Sequence, residues 1–300
     1  MRGQQEVLLL RITDTKGNNK VYERIRSALK HELFYKEPKS LLNKGTGFLT
    51  GYTHSLNPYG GCSFGCSFCY VRQMPIQLFR KQEWGSWVDV KQGASAIFEK
   101  ELRKAKSKGP VTIFMSSSTD PYQPAEYKEK VTRTLLEAMV NHPPDFVLVQ
   151  TRSPLVTRDI DLLLQLKERV RVSMTVETDR EEIRKQFTPD APPIGGRIRA
   201  LSKLREAGIS TQATIAPVLP SSEQFPELLA RVVDRICIDD YYMGDGSGGK
   251  RTSRMGLRAK YEELGLLDWY HPAAYQVVYE RMRTAFAEDK IGISQNGFMP

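Results

Sequence analysis

The stretch Asn57-Pro58-Tyr59-Gly60-Gly61-Cys62-Ser63-Phe64-Gly65-Cys66-Ser67-Phe68-Cys69-Tyr70 places three cysteines within eight residues. The chain holds four cysteines in all, so its thiols are concentrated in one short loop. The spacing is C-x3-C-x2-C, and Gly60, Gly61 and Gly65 allow the backbone to turn tightly around a bulky centre. Thiolates are the usual ligands of iron–sulfur clusters. Three of them on a [4Fe–4S] cube leave one iron open. The competing reading is a structural zinc site, which normally takes four ligands, often as two separated pairs. No second pair exists here, and Cys237 lies far away in sequence.

Outward from that loop the pattern is one of alternating strands and helices. Short β-branched runs at Ser55–Tyr59, Val111–Met115, Phe146–Gln150, Arg171–Val176, Thr211–Leu219 and Arg235–Ile238 predict strands. Amphipathic stripes between them predict helices: Val90 to Ala105, Tyr127 to Met139, Ile160 to Leu166, Ile198 to Ala207 and Leu228 to Val233. About six βα units over residues 51–240 imply a parallel sheet with right-handed crossovers, either partly closed into a barrel or open and doubly wound. In both arrangements reactive groups gather at the C-terminal ends of the strands. That edge would carry the cysteine loop, Ser116–Asp120, Thr151–Ser153, Glu177–Asp179 and Ala216-Pro217. Residues 1–50 read as an N-terminal extension with a strand at Val7–Ile12 and a turn at Lys16–Asn19. Residues 243–300 read as a glycine-rich loop, two helical stretches and an extended tail.

Composition bounds the function class. At 300 residues, 40% apolar and 26% charged, the chain reads as an ordinary globular protein. Clustered cysteines are not a disulfide framework and suit a reducing compartment. The apolar run at Val7–Ile12 is too short for a signal peptide, and no stretch approaches the roughly 20 apolar residues of a membrane span. The expected location is the cytoplasm, with no membrane partner. The net charge of +9 suits a polyanionic partner such as nucleic acid, and equally a solvated basic surface.

The loop resembles the signature of the radical S-adenosylmethionine superfamily, and residues 39–245 are similar to its spore photoproduct lyase-like branch. Besides the cysteines the likeness includes Phe68 before the last of them, Ser118-Thr119-Asp120, Thr151-Arg152-Ser153, Val172-Ser173 and Ile215-Ala216-Pro217. The resemblance implies an α/β fold, a partial (β/α)6 TIM-type barrel over residues 51–242 with N- and C-terminal extensions. It implies an enzyme that reductively cleaves S-adenosylmethionine at a [4Fe–4S] cluster to a 5′-deoxyadenosyl radical and abstracts hydrogen from a substrate. Cys62, Cys66 and Cys69 would bind three irons, and Phe68 would offer its backbone to adenine. Thr119 and Asp120 would lie by the methionyl or ribose part, and Arg152 would face the carboxylate. Ser173 and Ala216 would line the same pocket. Tyr70 stands where the lyase has a tyrosine suited to radical relay. An electron donor of flavodoxin or ferredoxin type is implied, with nucleic acid as a candidate substrate source.

One departure is specific. The lyase has a hydrogen-donating cysteine just upstream of its Thr/Ser-Asp stretch, where this chain reads Ser116-Ser117-Ser118. A serine O–H bond is too strong to replace a thiol as hydrogen donor, so the implied reaction differs from dimer repair. Cys237 reads as a small buried hydrophobe, and His31, His54, His142 and His271 show no metal-ligand spacing. Asp239, Asp240, Tyr241 and Tyr242 follow the sixth strand at the active edge, and Lys250-Arg251 sits where it could touch phosphates. The non-enzymatic alternative is a cysteine-bound metal or iron–sulfur module serving a partner protein.

Overall fold

In the computed structural model, which describes residues 31–300, four of the β-branched runs form strands close to their expected limits, but Ser55–Tyr59 is divided at Asn57-Pro58 between two sheets and the run Thr211–Leu219 is a strand only to Ile215. The strand expected at Val7–Ile12 and the turn at Lys16–Asn19 lie outside the described residues. In chain order the strands are β1 (Glu32–Lys36), β2 (Leu42–Lys44), β3 (His54–Leu56), β4 (Tyr59–Gly60), β5 (Trp87–Lys91), β6 (Thr112–Met115), β7 (Phe146–Thr151), β8 (Val170–Thr175), β9 (Thr211–Ile215), β10 (Ile236–Ile238) and β11 (Ile291–Ile293).

The main sheet has the order β11-β10-β9-β8-β7-β6-β3-β2. Every neighbouring pair in it is parallel except β2 with β3. Alternation along the strands divides the side chains between two faces. Ile113, Met115, Val147, Val149, Val172, Met174, Ala213, Ile215, Ile236 and Ile238 enter the core shared with the covering helices. The opposite face carries Phe114, Leu148 and Cys237, which pack in one cluster with Tyr52 and Phe298. On a flat sheet β6 and β10, four strands apart, would be separated by roughly 19 Å. Their sharing one small cluster requires the sheet to curl, which gives the framework of a partial (β/α)6 barrel. Above that apolar plug the same inner face carries a polar layer. Ser173 and Thr214 share a hydrogen bond of 2.6 Å, and Gln150 Nε2 donates to Thr175 Oγ1 at 2.7 Å.

A second sheet, β1-β5-β4, flanks the entry to the cysteine loop. Sequence periodicity placed Val90 on a helical stripe. It belongs instead to β5, paired with Tyr35 and Tyr59, and the helix begins at Ala94 after Gly93. The i, i+4 series from Tyr127 also breaks. Lys130 adopts φ +53° between two helices, Ala125–Glu129 and Val131–Asn141. Tyr127 is thereby left largely exposed. The break serves the second helix, because buried Glu126 accepts from its free Thr132 and Arg133 N–H groups at 2.8 and 3.2 Å. The tail is extended only at β11. Ser294–Gly297 then form a helical turn that sets Phe298 against the curled face, where Tyr52 OH donates to the Phe298 carbonyl.

Gly61, at the exit of β4, has φ +72°, and a Cβ there would lie 2.6 Å from the Trp87 ring. Gly61→Ala combines left-handed strain with a clash against a buried ring and should cost about 2–4 kcal/mol. Urea unfolding would show this as a lower midpoint, and an unchanged midpoint would contradict it.

Candidate active site

The cysteine loop leaves β4 and crosses the C-terminal edge of the main sheet. Cys62, Cys66 and Cys69 all line one cavity of about 510 Å³. The strand ends supply the remaining wall: Ser116–Asp120 after β6, Thr151 and Arg152 at β7, Thr175 at β8, Ala216 after β9 and Asp239 after β10. The loop has no regular structure of its own, so side chains hold its backbone. Arg72 donates to the Gly65 and Cys66 carbonyls at 2.7 and 3.0 Å. Gln123 accepts from Ser63 N–H at 2.9 Å and donates to the Gly61 carbonyl at 3.3 Å. Gly65, at φ +55°, faces Gly85 so closely that a Cβ would lie 3.3 Å from the Gly85 Cα.

Burial pushes all three thiols up, that of Cys66 to about 12 even though the Arg152 charge works against the rise. Thiolates at these positions therefore need cationic partners, which iron supplies. The donor set fits the cluster: three thiols face one cavity, and the fourth cysteine does not line it. Cys237 is fully buried under Gly297, with Sγ 3.6 Å from the Ser294 carbonyl. Among the described residues no three His, Cys, Asp or Glu side chains are placed to hold a single metal ion. In a cube each thiolate takes its own iron, so sulfurs spread around a cavity are what that centre requires.

Arg152 is the hub of the site. Its Nη1 lies 2.7 Å from Cys66 Sγ and its Nη2 lies 3.1 Å from Glu177 Oε1. Its Nε is buried with no partner in the protein. Glu177 in turn pairs with Arg197 at 2.6 Å, and both are almost fully buried. Burial alone would raise the Glu177 carboxyl, but Arg197 and Arg152 hold it below the usual value. Asp120 accepts from Thr151 Oγ1 at 2.7 Å, Arg152 N–H at 2.9 Å and Tyr122 N–H at 2.9 Å. Its charge is spent on fixing the strand end that carries Arg152.

The other residues named from the sequence fall as follows. Thr119 lines the cavity and its Oγ1 donates to the Gly61 carbonyl at 2.5 Å. Tyr70 lines it too, with its hydroxyl donating to the Ser117 carbonyl. Phe68 lies on an adjoining cavity of about 140 Å³ with Ala216, Pro217, Asp240 and Tyr241. Ser173 is fully buried in the polar layer beneath Thr175 and is not among the lining residues. Arg251 reaches the main cavity, its Nη1 bound to the Asp245 carbonyl at 2.6 Å.

Arg72, Gln123 and Glu177's partner Arg197 were not identifiable as site residues from the sequence, whereas Ser116 belongs to the expected active edge with Ser117–Asp120 and does line the cavity. Ser116 is the most unusual, a buried serine at φ +77° whose hydroxyl has no partner. No spacing signals Arg72, Gln123 or Arg197, because the first two act on the loop's backbone and the third meets Glu177 from a separate helix.

The Radical SAM superfamily model matches residues 56–232, and the chain belongs to that superfamily. Members use a [4Fe–4S] cluster and S-adenosylmethionine. An uncharacterized protein of Methanocaldococcus jannaschii is 29% identical over 238 residues, covering 79% of this chain and 83% of its own. The Radical SAM Nalpha-GlyT isomerase of Pseudomonas phage M6 is 28% identical over 167 residues, 54% of this chain but only 32% of the phage protein. Among solved structures, a spore photoproduct lyase superposes with a TM-score of 0.63 at 15% identity, over 95% of this chain and 87% of the lyase. A form of that lyase with bound AdoMet and dinucleoside spore photoproduct matches equally, at 0.63 and 14%. At such identities the likeness is one of fold. No helix among the described residues is long and apolar enough to cross a membrane.

Asp239, at the junction of the two cavities, is pushed up to about 7 by burial, reinforced by Asp240 and Asp245. A carboxyl raised on folding binds its proton more tightly in the native state, so it makes stability fall as pH rises from about 4 to about 7. Asp239→Asn should flatten that part of the profile. Urea midpoints at pH 5 and pH 8 would test it, and an unchanged slope in the variant would contradict it.

Proposed function

We propose that in this enzyme Cys62, Cys66 and Cys69 hold three irons of a [4Fe–4S] cluster and leave the fourth for S-adenosylmethionine. When bound, this pair supplies one-electron cleavage of the sulfonium to methionine and a 5′-deoxyadenosyl radical that takes hydrogen from an organic substrate. The observation that carries the reading is the three-thiol cavity with Arg152 on its wall and no fourth cysteine lining it.

The chain's own residues position and exclude. Arg152 presents a guanidinium whose Nε lacks a protein partner, so it is placed to take a carboxylate. Glu177 and Asp120 keep that guanidinium from swinging away by pairing with its other side and its backbone. The Phe68 backbone and Ala216 would hold the adenine at the adjoining cavity, with Thr119 and Asp120 by the methionyl or ribose part. Ser173 would act from beneath, supporting the wall through Thr214. Tyr70, anchored on Ser117, is the relay candidate. Residues 51–242 carry the βα units of the barrel in this assignment, with residues 1–50 and 243–300 as extensions from which β2 and β11 add edge strands to its sheet.

The substrate we infer is nucleic-acid derived. The net charge of +9, Arg251 on the cavity wall and a fold shared with a lyase that binds a dinucleoside photoproduct support it. Ser116–Ser118 in place of a hydrogen-donating cysteine separate the reaction from that lyase's repair. An external reductant of flavodoxin or ferredoxin type completes the system, and the expected compartment is the cytoplasm.

Anaerobic reconstitution with iron and sulfide, followed by dithionite and S-adenosylmethionine, should release 5′-deoxyadenosine, and Cys66→Ala should release none. A fully loaded cluster that yields no product would overturn the reading in favour of a passive metal module. Arg152→Lys keeps the charge but loses the fork, and should weaken cofactor binding roughly ten- to hundredfold. Equilibrium binding would measure this, and an unaltered affinity would remove Arg152 from the role.

A further inference from the structure

The stretch from Gly246 to Tyr261 carries Lys250, Arg251, Arg254, Arg258 and Lys260 and not one acidic residue. It forms two helices, Lys250–Arg254 and Leu257–Glu263, and the next acids, Glu262 and Glu263, come only at the end of the second. Arg251 is half-buried and lines the same cavity as Cys62, Cys66 and Cys69. Lys250 and Arg254, one helical turn apart, are exposed, as is Arg258. No ion pair engages any of these four among the described residues. The acid of the preceding loop is committed to its own backbone. Buried Asp245 accepts from the Ser247, Gly249, Arg251 and Thr252 N–H groups at 2.7, 3.0, 3.1 and 3.2 Å, and so fixes the turn that carries Arg251. Arg251 Nη1 donates to the Asp245 carbonyl at 2.6 Å, and the rest of the fork is uncommitted. Aromatic rings lie among the cations. Gly249 packs on Tyr242, whose ring a Cβ would meet at 2.8 Å, and the Tyr242 and Tyr270 rings are 6.1 Å apart. Burial raises both hydroxyls and the Arg258 charge works against the rise, which places that guanidinium near the two rings.

We propose that Arg251 seats a phosphate of a single-stranded oligonucleotide at the cavity wall, while Lys250, Arg254 and Arg258 take neighbouring phosphates of the same strand and Tyr242 and Tyr270 offer rings to its bases. The inference deepens the nucleic-acid reading of the substrate above and rests on it. Cations left without carboxylates attract a polyanion, and rings set among them stack bases of any sequence. Among the described residues Arg152 and Arg251 are the two cations on the cavity wall. With Arg152 facing the cofactor's carboxylate, Arg251 is the one left for an anion of the substrate. The strand is single because the hydrogen to be abstracted has to enter the cavity, and a nucleotide stacked and paired in a duplex cannot.

The test uses the full-length, reconstituted protein and the fluorescence anisotropy of labelled DNA and RNA strands of about ten nucleotides, with the matching DNA duplex alongside. Cluster absorption reports that each variant is folded and loaded. Lys250→Gln combined with Arg254→Gln and Arg258→Gln should weaken single-strand binding roughly tenfold or more, and should lower the slope of log affinity against log salt by about 2. Adding Arg251→Gln should cost a further fivefold, roughly. A control variant, Arg103→Gln with Lys104→Gln and Lys108→Gln, removes the same charge from other exposed positions and should keep its affinity within about twofold. Tighter binding of either the DNA or the RNA strand supports the proposal and identifies the sugar of the substrate. An equal loss in the control variant would reduce the effect to bulk charge and overturn the proposal. So would an unchanged affinity in the triple variant, or a duplex bound as tightly as the single strand. Those results would leave the nucleic-acid reading standing, whereas a wild type that binds neither strand at low salt would sink both.

Discussion

An eight-residue loop must present three sulfurs to one buried space while contributing no secondary structure, and the rest of the site is organised around that demand. Backbone N–H and C=O groups that do not pair within helices or sheets need other partners when buried. Here Arg72 and Gln123 provide them, one from the segment that follows the loop and one from the turn after β6. Glycine at 61 and 65 lets the chain pass a tryptophan ring and a second glycine where any side chain would intrude. These contacts hold the three thiols toward one cavity.

Electrostatics then orders the wall. One buried thiol, one buried carboxylate and two guanidinium groups form a chain from Cys66 through Arg152 and Glu177 to Arg197. A buried ion pair is weak support for stability, because desolvation offsets most of the attraction. Its value here is positional. Glu177 is bonded on its far side by Arg197, so it cannot follow Arg152 outward, and Arg152 is kept at the cavity wall with one nitrogen still uncommitted.

Most of the framework was legible in the sequence. Strands β6 to β10 announce themselves as short β-branched runs, because a parallel sheet covered on one side and plugged on the other selects such residues throughout. The gathering of three cysteines on one cavity was legible because all three lie in a single short loop. Less legible was anything set by distant contact. Val90 fits a helical stripe and a strand equally well, and only its pairing with Tyr35 and Tyr59 decides for β5. Tyr127 completes a four-residue period that Lys130 interrupts to let Glu126 cap the next helix. Ser173 shares the inner face with Thr175 but sits one layer lower, a difference of two residues that motif matching does not register. The pairing of Arg197 with Glu177 joins a helix to a strand end and leaves no local trace.

The central claim is a cubane with one corner that the polypeptide leaves free for the cofactor. Electron–nuclear double resonance on the reduced cluster, with S-adenosylmethionine carrying a nitrogen-15 amino group and an oxygen-17 carboxylate, observes that corner directly. The account predicts hyperfine coupling of both labelled atoms to the cluster. A reduced cluster that shows no coupling to either label while the cofactor is bound, with a fourth protein donor in its place, would contradict it.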